Sequence, residues 1–223
     1  MKWRGTVLVG AMLFAAGLWG QAAGEGYRPA GVTKGGDIAF PADSVVTGLV
    51  TLDVSVDKTA AVQNVTVIRD LPPLTAAAQE AMKSWQFGPA VRGGKMEAGD
   101  VRVQIVFNPF DSGDTSIPGG NEPAATDADG NEMDFQPAQL TAGAFATYPE
   151  NTVASGTVIL QLSVDADGAV NGARVFRGAG PLAGAATRTA KSWQFTAATY
   201  KGTAVTSVVP VAFVFANPAQ GTQ

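Results

Sequence analysis

Apolar and polar residues alternate from Val50 to Val56, with Val50, Leu52, Val54 and Val56 on one side and Thr51, Asp53 and Ser55 on the other. A strand with one buried face has this period of two. The pattern returns at Val158, Leu160, Leu162 and Val164. After each alternating stretch comes turn chemistry, Asp57 to Ala61 in the first case and Asp165-Ala166-Asp167-Gly168 in the second, then a second Val-rich strand. The period then changes to 3.6. Leu74, Ala77, Ala78, Ala81, Met82 and Trp85 fall on one side of a helix, as do Leu182, Ala185, Ala186, Ala190 and Trp193. Pro73 and Pro181 stand where a helix start accepts proline. A last alternating strand follows, with Val101, Val103, Ile105 and Phe107 inward in one copy and Val209, Val211, Phe213 and Phe215 in the other.

The two series are one unit repeated. Lys83-Ser84-Trp85-Gln86-Phe87 recurs as Lys191-Ser192-Trp193-Gln194-Phe195, an offset of 108, and residues 40–107 match 148–215 without a gap at about 27 of 68 positions. The predicted fold class is α+β: two small two-layer modules, each a three-stranded, mainly antiparallel sheet with a helix packed on it, in the order β-β-α-β. The organisation expected is a signal peptide over 1–23, a short extension over 24–36, module one over 37–108, an acidic Gly/Pro linker over 109–143, module two over 144–218 and a tail over 219–223. Lys2 and Arg4, an apolar run of about 13 residues and the small residues Gly20, Ala22 and Ala23 fit a cleaved export signal, the run being short for a span of about 20 residues. The linker carries seven acidic residues between positions 110 and 144 with no Lys or Arg, and reads as solvated and flexible, with 135–140 leading into module two.

Composition narrows the chemistry. The 223 residues include no cysteine and no histidine and carry a formal net charge of −4. Disulfides and Ser-His or Cys-His nucleophiles are excluded, and nucleic acid, which needs basic patches, is a poor partner. No cofactor is expected. The run Gly178 to Gly184 fails the dinucleotide spacing, and the Asp127 to Glu132 stretch has the oxygen density of a calcium loop without its full ligand spacing. Trp85, Phe87, Trp193 and Phe195 read as core residues, because they end the buried helical stripes. The remaining candidate is backbone chemistry. If the last strand of each module lies at a sheet edge, it can pair with an extended peptide, and Arg102, Gln104 and Val106 in module one and Pro210, Ala212 and Val214 in module two would set selectivity.

An aromatic-Pro start, Gly-x-Val-x-Leu-x-Val-x-Val-Asp, Pro-Leu before an Ala-rich helix, Trp-x-Phe and a closing alternating strand together resemble the C-terminal domain of the TonB family, in both modules. The resemblance implies a non-enzymatic protein of the periplasm of Gram-negative-type bacteria, with envelope proteins as partners. In that family the periplasmic segment of an outer-membrane transporter pairs with the last strand. The family's motor-coupling histidine and its Pro-Glu and Pro-Lys rich spacer do not occur in this sequence. The leading expectation is therefore a pair of peptide-binding modules in TonB-type transport. The alternatives are an energy transducer held in the inner membrane by an uncleaved N-terminal helix, and a structural envelope subunit that self-associates through edge strands.

Overall fold

The computed structural model describes residues 26–41, 44, 46–108, 115–127, 129–150, 152–178 and 180–216. The expected signal peptide and the tail lie outside the described residues. Each module has the predicted order. In module one, β1 (Gly48–Val56) and β2 (Val62–Arg69) form a hairpin, followed by α1 (Leu74–Met82) and β3 (Gly99–Asn108). In module two, β4 (Gly156–Val164), β5 (Val170–Arg177), α2 (Gly180–Ala190) and β6 (Ser207–Phe215) repeat it. Between helix and last strand each module adds a short hairpin, Ala90–Arg92 with Lys95–Glu97 and Ala198–Tyr200 with Thr203–Val205.

The two modules share one six-stranded sheet in the order β5-β4-β6-β3-β1-β2. Both β3 and β6 pair antiparallel with their own hairpins, and parallel with each other from Gln104 opposite Val211 to Asn108 opposite Phe215. The order is a palindrome about this central pair. Because the central pair is parallel, the rotation relating the modules runs along the strands and exchanges the faces of the sheet. The register agrees, since residues opposite one another share a face. Thr51, Gln104, Val211 and Leu160 form one row across the sheet, and Val50, Ile105, Ala212 and Ile159 the next. The face that is core for module two is thus the outer face of module one. Trp193, just after α2, packs on Phe213 with ring centroids 5.5 Å apart. Its counterpart Trp85 lies on the other face, where Gly35 fits between Trp85 and Ile159 so closely that a Cβ there would come within 2.2 Å of Ile159 Cδ1.

Each outer face is covered by a lead-in strand from the opposite side. Gly31–Lys34 pairs with Gln86–Gly88 of module one yet lies over module two, where the Ile38 N–H donates to Thr157 Oγ1 (2.8 Å) and Gln161 Nε2 to the Val32 carbonyl (3.3 Å). Gln139–Ala144 pairs with Gln194–Thr196 of module two, and the residue that follows it by two, Ala146, exchanges two hydrogen bonds with Asn108 of module one, both 2.7 Å. The expected linker is more structured than its composition suggested. Ser116–Pro118 adds to Gln139–Ala144 as a third strand, and Ile117, Glu122, Ala125 and Phe135 are buried.

Candidate functional site

All six residues expected on free edges are buried: Arg102, Gln104, Val106, Pro210, Ala212 and Val214. The expectation that β3 and β6 are edges is corrected by their pairing with each other in the centre of the sheet. The physical reason is that a strand apolar on both sides, as β6 is from Val208 to Phe215, gains most where both faces and both backbone edges are covered. The four aromatic positions assigned to the core are there: Trp85, Phe87, Trp193 and Phe195 are each at most 5% exposed.

Arg102 and Gln104 belong to a buried polar cluster. The Arg102 guanidinium donates to both carboxylate oxygens of Asp53 (2.8 and 2.6 Å), to Glu122 Oε2 (3.1 Å) and to the Pro123 carbonyl (3.0 Å). Thr51 Oγ1 donates to Gln104 Oε1 at 2.8 Å. Burial works against the Arg102 charge, but its hydrogen bond and attraction to Asp53 outweigh this and hold its pKa above the ordinary value. The cluster explains why an acidic linker residue can be buried: its countercharge comes from β3. It fastens the linker to module one and leaves no side chain pointing outward.

The central ladder ends at Gln104 and Val211. Pro210 has no N–H to carry it further, and residues 100–102 and 207–210 diverge around a narrow cleft lined by Pro29, Ala30, Pro137 and Ala138. Beside it Tyr27 stacks on Tyr200 (4.7 Å between centroids) and touches Phe135 (5.7 Å), while Arg92 reaches both Tyr200 Oη (2.5 Å) and Asp134 (3.2 Å). Burial pushes the Tyr27 hydroxyl up to about 12. This is a packed junction between the modules. Sequence reasoning missed it, although the same offset of 108 relates Tyr27 to Phe135 and Arg92 to Tyr200, and carries Pro29-Ala30 onto Pro137-Ala138. The repeat begins at Tyr27, before the Phe40 start read from the denser matches.

The open edges are β2 and β5. Each pairs on one side only and leaves the backbone groups of its other side outside any described ladder. Exposed along them are Asn64 and Thr66 on β2 and Arg174 and Val175 on β5. Both strands carry bulges at equivalent places, opposite Thr51/Leu52 and Ser55/Val56 in one and Ile159/Leu160 and Ser163/Val164 in the other. Bulges twist an edge and discourage indiscriminate pairing, so each edge keeps a short regular stretch, Asn64 to Val67 and Gly172 to Val175.

Among the described residues no group of three acidic side chains is placed to hold a metal ion. In the stretch compared with a calcium loop, Asp127 Oδ1 is taken by the N–H groups of Asp129 and Asn131, the hydrogen bonding to Asn131 being the main cause of its lowered pKa.

Two copies of a β-β-α-β unit are fused through their last strands into one sheet with a buried centre and two outer edge strands. The chain belongs to the family described as the Gram-negative bacterial TonB protein C-terminal, whose model matches residues 43–109 and 146–216. The family is one of non-enzymatic protein-interaction domains of the envelope, associated with TonB-type transport. Neither the curated proteins nor the solved structures searched gave a match to this chain.

Proposed function

We propose that this protein binds extended peptides of envelope proteins by strand addition at β2 and β5. The observation that carries the reading is the topology: the last strands are consumed by each other, which leaves these two as the backbone edges of the shared sheet. Main-chain pairing supplies affinity at such an edge, and exposed alternate side chains supply selectivity. Two edges on one rigid sheet would engage two peptides, or two segments of one partner, with the gain that comes from effective concentration. Family membership supports an envelope partner, of which the periplasmic segment of an outer-membrane transporter is the leading example, and a periplasmic-facing location, while the basic start and short apolar run support removal of residues 1–23. No helix among the described residues is long and apolar enough to cross a membrane.

The test is photocrosslinking in the native envelope from Thr66 and Arg174, with Gln104 and Ala212 as buried controls. Adducts from the first pair to an extended segment of another envelope protein are expected. Adducts from Gln104 or Ala212 instead would mean that a partner opens the central pair, and adducts only to a second copy of this chain would make the edges a self-assembly surface.

A further inference from the structure

The two edges differ in charge. Residues 168–223 contain no Asp or Glu and carry Arg174, Arg177, Arg188, Lys191 and Lys201, so all 19 acidic residues, against ten basic ones, lie in 1–167. The edge strand β5 and its helix fall wholly in the cationic part. The corresponding stretch of module one is mixed: Asp70 follows β2, Glu80 of α1 pairs with Lys83 just after it, and Arg69 donates to the Pro118 carbonyl at 2.9 Å.

Register places the β5 charges. Arg174 lies opposite Gln161 and Arg177 opposite Ile159, which puts both on the face away from α2, while Val175 lies opposite Leu160 on the helix side. Arg177 is held by Asp37 (2.5 Å); Arg174 is exposed and makes no ion pair among the described residues. On the other face the exposed Arg188 and Lys191 belong to α2 and the turn after it. Apart from Asp37 on Arg177, the nearest acids are Asp165 and Asp167, in the turn at the far end of the strand, where Asp165 accepts from the Asp167 and Ala169 N–H groups.

Resting on the strand-addition reading, we propose that the β5 edge selects an acidic extended peptide, with carboxylates alternating with apolar residues. The carboxylates would face Arg174, and the apolar residues would continue the Val175 side. Complementary charge at an edge adds to the encounter rate and rejects the wrong sign, while the backbone ladder supplies the common part of the affinity.

The experiment titrates the full chain with labelled eight-residue peptides in which valine alternates with glutamate, glutamine or lysine, followed by fluorescence anisotropy at low and high salt. The glutamate peptide is expected to bind about five-fold or more tighter than the glutamine peptide, with the preference fading at high salt. Arg174→Glu, an exposed change whose retained fold is checked by circular dichroism, should reverse the order of the glutamate and lysine peptides. A crosslinker on Thr66 or Asn171, which leaves Arg174 in place, reports which edge is occupied. Equal binding of the three peptides at β5, or a preference unchanged by Arg174→Glu, overturns charge selection and leaves strand addition standing. Failure of every peptide to bind either edge overturns both.

Discussion

Thr51, Asp53, Arg102 and Gln104 of module one occupy the positions that Ile159, Gln161, Pro210 and Ala212 take in module two. Each set lines the outer face of its own half of the sheet. In module one that face meets the linker and is closed by a buried ion cluster; in module two it meets the N-terminal lead-in and is closed by apolar contact with side-chain hydrogen bonds from Thr157 and Gln161. On the helix side the copies agree, because both helices ask the same of the sheet. The difference teaches that a duplicated unit is held alike where its own elements pack and differs where one copy meets a segment the other lacks, here the linker around Glu122.

The largest effect should come from breaking the cluster. Arg102→Met leaves Asp53 and Glu122 buried without a countercharge and is expected to cost about 3–5 kcal/mol in chemical denaturation. Restoring neutrality with Asp53→Asn and Glu122→Gln in the same chain should recover a good part of that. A loss under about 1 kcal/mol for Arg102→Met would show that the cluster does not fasten the linker.

The hairpin turns give the next contrast. Gly168 has φ +84° and would put a Cβ 1.8 Å from the Phe195 carbonyl oxygen, whereas its counterpart Ala60 already adopts φ +71°. Gly168→Ala should therefore lose on the order of 2–3 kcal/mol, as strain at a left-handed position is joined by collision with backbone. The paired tryptophans differ by a hydrogen bond. Trp193 Nε1 donates to the Ala144 carbonyl at 3.1 Å, while Trp85 Nε1 is buried without a partner among the described residues. Trp193→Phe should cost about 1 kcal/mol more than Trp85→Phe by thermal unfolding. Ala60→Gly, by relieving the left-handed alanine, is expected to stabilise by about 0.5–1 kcal/mol.

The smallest effect is one of pH. Asp100 stands where module two has Val208, and burial raises its carboxyl pKa despite the hydrogen bond from Ser55. Its folded pKa lies above its unfolded one, so its contribution to stability is full below the ordinary carboxylate range and is lost as pH rises through the raised folded value. Asp100→Asn should flatten the stability profile in that window, and an unchanged profile there would remove Asp100 as its source.

Much of each module was legible in the sequence, because strand and helix periods, turn residues and the Trp-x-Phe exit are local signals. The joining of the modules was not. Val101, Val103, Ile105 and Phe107 show one apolar face, and Arg102 and Gln104 read as solvent-facing because their partners, Asp53 and Glu122, are remote in sequence. A signal did exist in β6, where Val208, Val214 and Phe213 leave neither face polar, the mark of a central strand. The lead-in to module two was expected over 135–140, but its twin before module one escaped because only Pro29, Ala30, Thr33 and Gly35 recur identically, as Pro137, Ala138, Thr141 and Gly143. The buried linker carboxylate could not be foreseen from a segment with no cation of its own.

Amide hydrogen exchange, residue by residue on the full chain, tests the shared sheet most directly. A central strand has every N–H bonded, whereas an edge strand leaves alternate ones open. Uninterrupted protection is expected along 104–108 and 211–215, close to the global unfolding limit, with alternate fast amides within the shared sheet confined to β2 and β5. Alternating fast exchange along β3 and β6 would contradict it, and would return the last strands to the edges of two separate modules.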